Sequence, residues 1–92
     1  MPVVTDRIRE RLIEDFPSVA PAALGRLERL DVSPQVDPER IHGAVLIAAR
    51  GNLSMFDDAL EHAHDDWRDL LDRAGLADAD WPDRLDDTFG RG

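Results

Sequence analysis

The stretch DPERIHGAVLIAARG, from Asp37 to Gly51, decides the fold of this chain. Asp37 is a capping carboxylate, Pro38 suits the first helical position, and Glu39 places a negative charge near the positive end of the helix dipole. The apolar run at residues 44–49 leaves this helix apolar on nearly all sides. Because such a helix must be covered by others, we predict that it is the central and most buried one, ended by Gly51.

Helix starts and stops recur on both sides of this segment, whereas the period-two alternation typical of strands is almost absent. Thr5, Ser18 and Ser54 are expected to cap the helices that follow them through their hydroxyl groups. We therefore predict a single all-α domain, a compact bundle of four helices plus a short C-terminal helix. The predicted helices cover about residues 5–15, 18–30, 38–50, 55–74 and 82–89.

The fourth predicted helix is the longest, and its apolar residues indicate how it packs. At about 100° per residue, they all fall on one arc about 120° wide. This clean segregation predicts one straight amphipathic helix with the arc on the bundle. Gly75 is expected to end the helix, with Leu76 folding back onto it. The arc consists of Phe56, Ala59, Leu60, Ala63, Trp67, Leu70, Leu71 and Ala74.

The sequence His62-Ala63-His64 in the same helix has the look of a pair of metal ligands. On a straight helix the two imidazoles lie about 160° apart, so they cannot bind one ion together. His62 and Asp66 could fill two positions on a metal, with Asp58 as a further weak candidate, and a third ligand would have to come from another helix. These residues belong to a polar stripe made of Asp58, His62, Asp66 and Asp69.

The more ordinary interpretation of this stripe is a solvated acidic face, on which Asp69 pairs with Arg73 and Asp65 pairs with Arg68. We therefore assign no catalytic residue, no metal site and no cofactor from the sequence. His42 lies in the third helix, and we expect it to be a hydrogen-bonded histidine of the core or its boundary.

Composition excludes several kinds of chemistry. The 92 residues contain no cysteine and all 11 basic residues are arginine, so neither thiolate nor lysine chemistry is available. We expect a protein that is not an enzyme. No apolar run approaches the ~20 residues of a membrane span, and the N-terminus does not resemble a signal peptide. These features predict a cytoplasmic protein that does not bind membranes.

Charge is distributed unevenly along the chain. Residues 1–50 carry 8 acids and 7 arginines, whereas residues 51–92 carry 12 acids and 4 arginines, so nearly all of the net charge of −9 lies in the second half. Arg7 and Arg11 share one face of the first helix, but neighbouring glutamates predict that they are neutralised locally. Because an acidic surface repels phosphates, we expect no binding to nucleic acid.

One resemblance covers Ile41 to Leu76. Its motifs are Gly51-Asn52-Leu53, the run Asp66-Trp67-Arg68-Asp69-Leu70-Leu71, and Ala74-Gly75-Leu76. The stretch resembles a family of short, uncharacterised bacterial proteins, in which a Gly-Asp-Leu-like helix start precedes an aspartate, aromatic, arginine, aspartate run. Here Asn52 replaces the acid of that start. The resemblance implies an all-helical domain and no activity, and we interpret its tryptophan as a buried anchor flanked by an ion pair.

We conclude from the sequence that the chain is a small, acidic, non-enzymatic module that binds another protein or a second copy of itself. Asp58, Asp65 and Asp69 are the candidate partner-binding residues of the acidic face. Trp81 is a further candidate, unless it docks on the bundle together with the apolar residues one and two turns later. Two alternatives stay open: a divalent-metal-binding protein using His62 and Asp66, and an acidic decoy for a nucleic-acid-binding protein.

Overall fold

The fold is all-α, as predicted. The computed structural model describes residues 4–90, and this part of the chain contains helices and no strand. None of the helices in this range is both long and apolar enough to cross a membrane. The five helices are α1 (Asp6–Asp15), α2 (Ala20–Arg29), α3 (Pro38–Ala49), α4 (Leu53–Ala74) and α5 (Trp81–Phe89).

Helix α3 lies at the centre, which confirms the prediction from its apolar run. Eight of its 12 residues are buried, and it contacts α1, α4 and α5. The Asp37 carboxylate accepts a hydrogen bond from the Glu39 backbone N–H at 2.9 Å, which is the predicted cap. The helix ends one residue earlier than predicted, because Arg50 (φ 49°) and Gly51 (φ 72°) are both left-handed.

The predicted hydroxyl caps are wrong in detail. Thr5 does precede α1, but its hydroxyl donates to a carboxylate oxygen of Glu39 at 2.5 Å instead of capping the helix. Ser18 lies in a turn, and α2 begins only at Ala20, without a side-chain cap. Helix α4 is capped by Asn52, whose side-chain oxygen accepts from the Met55 N–H at 3.1 Å, so it starts before Ser54.

Helix α4 is broken at Asp66, which the sequence did not predict. Asp66 has φ −156° and ψ 86°, far from helical values, and it divides α4 into a first arm (residues 53–65) and a second arm (residues 67–74). Arg73 Nη1 lies 3.1 Å from Asp58 Oδ2, although the two residues are 15 positions apart. In a straight helix that separation spans about 22 Å. The arms therefore fold back toward each other, and the single straight helix predicted for this segment is wrong.

The end of α4 follows the prediction. Gly75 is left-handed, with φ 77°. The Leu76 N–H donates to the Leu71 carbonyl at 2.8 Å and the Gly75 N–H to the Asp72 carbonyl at 3.2 Å, which together form a Schellman motif. Leu76 is buried, so its side chain folds back onto the core as expected.

Helix α5 packs closely on α3 at a glycine. A Cβ atom on Gly43 would lie 2.6 Å from Leu85 Cδ2 and 3.2 Å from Phe89 Cε2. Leu85 is fully buried, whereas Phe89 packs on the core with part of its ring exposed. The helix begins at Trp81, one residue before the predicted start. The absence of a side chain at Gly43 is therefore what allows α5 to reach the core.

Arg7 joins three helices through one guanidinium group. Its Nε and Nη2 donate to the two oxygens of Glu39 in α3, at 2.8 and 2.7 Å. Its Nη1 donates to Asp86 in α5 at 2.6 Å and to the carbonyl of Gly90 at 2.7 Å. The hydrogen bonds with Arg7 lower the pKa of Glu39. Neutralisation of Arg7 was predicted, but its partners come from distant segments and not from its own helix.

Candidate functional site

A cluster of polar side chains spans the break in α4. Arg73 of the second arm donates to Asp58 of the first arm at 3.1 Å and lies 3.3 Å from His62 Nδ1. His62 Nε2 is 2.8 Å from Asp69 Oδ2, so this pair also crosses the break. We call these four residues, Asp58, His62, Asp69 and Arg73, the cross-arm cluster.

The cluster contains His62 and Asp58 but not Asp66, the third weak candidate for a metal ligand. Asp66 lies at the break, and its carboxylate accepts the Asp69 backbone N–H at 3.2 Å, so it caps the second arm. Both ring nitrogens of His62 already face a charged partner, and one of these partners is a guanidinium. The polar stripe drawn on a straight helix is therefore interrupted at Asp66, whereas Asp58, His62 and Asp69 remain together. Across residues 4–90, no group of three or more histidine and acidic side chains is arranged to hold a metal ion.

The acidic face also differs from the prediction. Asp58, Asp65 and Asp69 are exposed, but two of them belong to the cross-arm cluster and only Asp65 lacks an ion pair within the described range. The predicted pairs Asp69–Arg73 and Asp65–Arg68 are absent there. Arg68 instead contacts the Gln35 side chain at 3.3 Å and lies 4.9 Å from the centre of the Trp67 ring. Asp58 is thus paired with a permanent cation, whereas Asp69 shares a hydrogen bond with His62.

An apolar groove lies between α2 and the start of α4. Its volume is about 230 Å³. Most of its lining comes from small or apolar side chains, and an ion pair between Arg26 and Asp57 lies at its edge. The groove is lined by Val19, Ala22, Ala23, Arg26, Leu53 and Asp57.

One large apolar side chain is exposed on the wall of the groove. Leu53 is 42% exposed, whereas Met55, which is 39% exposed, lines a separate recess with residues of α3. The sequence did not predict this site, because Leu53 lies before the predicted start of the fourth helix at residue 55. In the structure Leu53 is the first residue of α4, where few neighbours are left to cover it.

Trp81 docks on the core side of α5. It is partly buried and packs against the core. The guanidinium of Arg40 lies 5.2 Å from its ring centre, and the same guanidinium donates to the carbonyls of Leu76 and Ala77 at 2.8 and 3.0 Å. One face of the tryptophan is therefore already covered by the protein itself.

His42 is buried, but it is not hydrogen-bonded as predicted. The side chain is 0% exposed, and neither ring nitrogen finds a hydrogen-bond partner among residues 4–90. Loss of water around the ring lowers the pKa of His42 to about 4, although Glu39 and Asp37 act in the opposite direction. At neutral pH the imidazole is therefore an uncharged part of the core.

Comparison of the chain with known protein families, with curated proteins and with solved structures gives no match. The interpretation of the groove and of the cross-arm cluster accordingly rests on their geometry.

Proposed function

We propose that this chain is a small, acidic, non-enzymatic helical module of the cytoplasm that binds another protein. The groove between α2 and α4 would receive one apolar side chain of the partner. The single observation that carries this proposal is the exposed Leu53 on the wall of that groove. Exposed apolar side chains that adjoin a concave surface are typical of protein-binding sites.

The size of the groove favours a side chain over a metabolite. Its volume of about 230 Å³ lies below the roughly 300–1,000 Å³ usual for small-molecule pockets. A helix or loop that inserts one leucine or aromatic residue needs only such a shallow recess, because the surrounding contacts supply the rest of the buried area.

Charge supports a basic partner. The chain carries a net charge of −9, and Asp57 stands at the edge of the groove. Asp58 follows it on α4, and Asp65 and Asp69 are exposed farther along the same helix. A partner whose apolar anchor is flanked by arginine or lysine would be attracted to this surface before contact.

The proposal is tested by capturing partners on the immobilised chain, purifying the captured protein, and measuring its binding to variants. Leu53→Asp should weaken binding at least tenfold, because it places a charge on the apolar wall. Ile13→Asp is the matched control. Ile13 is 47% exposed on α1 and does not line the groove, so this variant should bind like the parent. A partner that binds Leu53→Asp unchanged would refute the role of the groove.

The charge argument is tested on the same purified pair. Reversing Asp58, Asp65 and Asp69 to arginine should slow association without unfolding the protein. Raising the salt from 0.1 to 1 M should do the same, since the screening length falls from about 10 Å to about 3 Å. A partner indifferent to both changes but lost on Trp81→Ala would place the binding surface on α5 instead.

A further inference from the structure

The break in α4 falls where the sequence equally permits a continuous helix. Residues 53–74 contain neither proline nor glycine, the usual causes of a sharp bend. If the segment is drawn as one straight helix, the apolar residues from Phe56 to Ala74 lie on a single arc about 120° wide. The same sequence is therefore compatible with two shapes, one bent at Asp66 and one straight.

The contacts that favour the bent shape are few and exposed. Asp66 caps the second arm, and the cross-arm cluster adds the Arg73–Asp58 ion pair and the His62–Asp69 hydrogen bond at the surface. A straight helix would lose the cap. It would recover backbone hydrogen bonds at the break, where up to four carbonyl groups of the first arm and up to four N–H groups of the second arm have no partner within their own arm. The two shapes of α4 are thus closely balanced in local interactions.

Burial is what prevents a single chain from straightening. Leu70 and Leu71 of the second arm, and Leu76 and Leu85 beyond it, are all buried in the core. Straightening α4 would carry residues 67–90 away from α1 and α3 and expose all four leucines. A second copy of the chain, opened in the same way, exposes the surface of α1 and α3 that its own residues 67–90 covered. Residues 67–90 of the first copy can bind that surface.

We infer that Asp66 is a two-state hinge and that the straight form of α4 is a dimer of this chain, in which the two copies exchange residues 67–90. Each core is then completed by the partner copy. The contact between Arg73 and Asp58 is kept, but it joins two chains. This inference is independent of the proposed function, because it needs neither the groove nor a second kind of protein.

Two substitutions move the hinge in opposite directions. Asp66→Ala removes the cap of the second arm and inserts the residue that most favours a continuous helix. Arg68→Pro places proline at the second position of the second arm, as Pro21 does in α2 and Pro82 does in α5. Proline is tolerated in a first turn, but within a continuous helix it removes a hydrogen bond and clashes with the preceding turn. Arg68→Ala is the control for the lost arginine.

The experiment is to measure the self-association constant of the four chains by sedimentation equilibrium, with circular dichroism to verify folding. A lost cap changes a helix equilibrium about fivefold. Two hinges straighten per dimer, so Asp66→Ala should raise the association constant about 30-fold. Arg68→Pro should abolish association, and Arg68→Ala should match the parent. The inference is overturned if Asp66→Ala associates no more than the parent, or if Arg68→Pro associates as strongly.

Cross-linking identifies which residues are exchanged. The chain contains no cysteine, so Asp58→Cys and Arg73→Cys, introduced together into the Asp66→Ala chain, give two unique thiols. A short bismaleimide should link them between chains in the dimer and within one chain in the monomer. A dimer that shows only links within each chain would be an ordinary surface contact, and the exchange would be refuted.

Salt separates this inference from the proposed function. The parent chain carries a net charge of −9, and Asp66→Ala loses only one of its acids. Two such acidic chains repel each other, so self-association of Asp66→Ala should strengthen as salt rises. Capture of a basic partner should weaken under the same conditions. If self-association does not respond to salt as expected, the hinge inference fails and the proposed function is unaffected. If partner capture does not respond, the reverse holds.

Discussion

Acid should destabilise this protein through one residue, His42. The unfolded chain takes up a proton on this imidazole near its ordinary pKa of 6.5, whereas in the folded protein the pKa is about 4. Between pH 4 and pH 6.5, His42 therefore binds a proton more readily in the unfolded chain than in the folded protein. The stability contributed by the neutral ring is therefore complete above about pH 6.5 and is lost as the pH falls toward 4.

The magnitude follows from the difference between the two pKa values. At about 1.4 kcal/mol per unit, the full loss is about 3 kcal/mol, and at about pH 5 it is already about 2 kcal/mol. In a domain of this size each kcal/mol corresponds to about 4–8 °C, so the melting temperature should fall by roughly 10 °C between about pH 7.5 and pH 5. Glu39 does not contribute in this range, because its pKa is lowered from an already acidic value of 4.5.

The assay is thermal and urea unfolding at several pH values, on the parent chain and on His42→Leu. The variant has no titratable group at this position and leaves no buried ring nitrogen without a partner. It should lose about 2 kcal/mol less than the parent over the same pH interval. His62 and His64 are present in both chains, so any contribution from them cancels in the comparison. Equal losses in the two chains would show that His42 is not the source of acid sensitivity.

Three further predictions concern packing and charge, and each is measured by urea or thermal unfolding at neutral pH. Gly43→Ala should destabilise the fold by about 1–3 kcal/mol, because the new Cβ would overlap the buried side chain of Leu85. Gly25→Ala is the control, because its Cβ would meet no atom closer than 3.6 Å, and it should stabilise the fold by about 0.5–1 kcal/mol. Equal effects of Gly43→Ala and Gly25→Ala would refute the close approach of α5 to α3. Arg7→Gln should destabilise the fold by about 2–3 kcal/mol, since it leaves the part-buried carboxylates of Glu39 and Asp86 without their cation. A loss of only a few tenths of a kcal/mol would mean that these ion pairs are solvated like surface pairs. Trp81→Ala should cost about 2–3 kcal/mol, below the ~3–5 of a fully buried tryptophan because the ring is only partly covered, and an unchanged melting temperature would mean that Trp81 is not held by the core.

The proposed binding surface and the proposed hinge lie on the same helix. Leu53 is at the start of the first arm of α4, whereas Asp66 is at its end. The apolar anchor of a partner seated in the groove would contact α2 and the first arm, which belong to the same core in both shapes of the helix. Binding of a partner and exchange of residues 67–90 can therefore be studied separately, even though one helix carries both.

Local chemistry in the sequence determined the helical class and most helix ends. Asp37 with Pro38 starts α3 as expected, and Gly75 with Leu76 ends α4 in the expected motif. The apolar run of residues 44–49 identified the central helix. These predictions succeeded because caps, prolines and apolar periodicity act within one or two turns of the chain. The hydroxyl cap predicted at Thr5 failed for the complementary reason, because its side chain is oriented by a contact with Glu39 of α3, 34 residues away.

Three features were decided by the tertiary structure alone: the environment of His42, the groove between α2 and α4, and the break at Asp66. Nothing near His42 in the sequence reveals that its ring nitrogens lack partners, because that depends on which helices surround α3. The groove exists only where α2 meets the start of α4. The break at Asp66 is the clearest case. The helical periodicity of the sequence continues through Asp66 unchanged. The bent shape is stabilised chiefly because it buries the residues after Asp66 against α3 and α1.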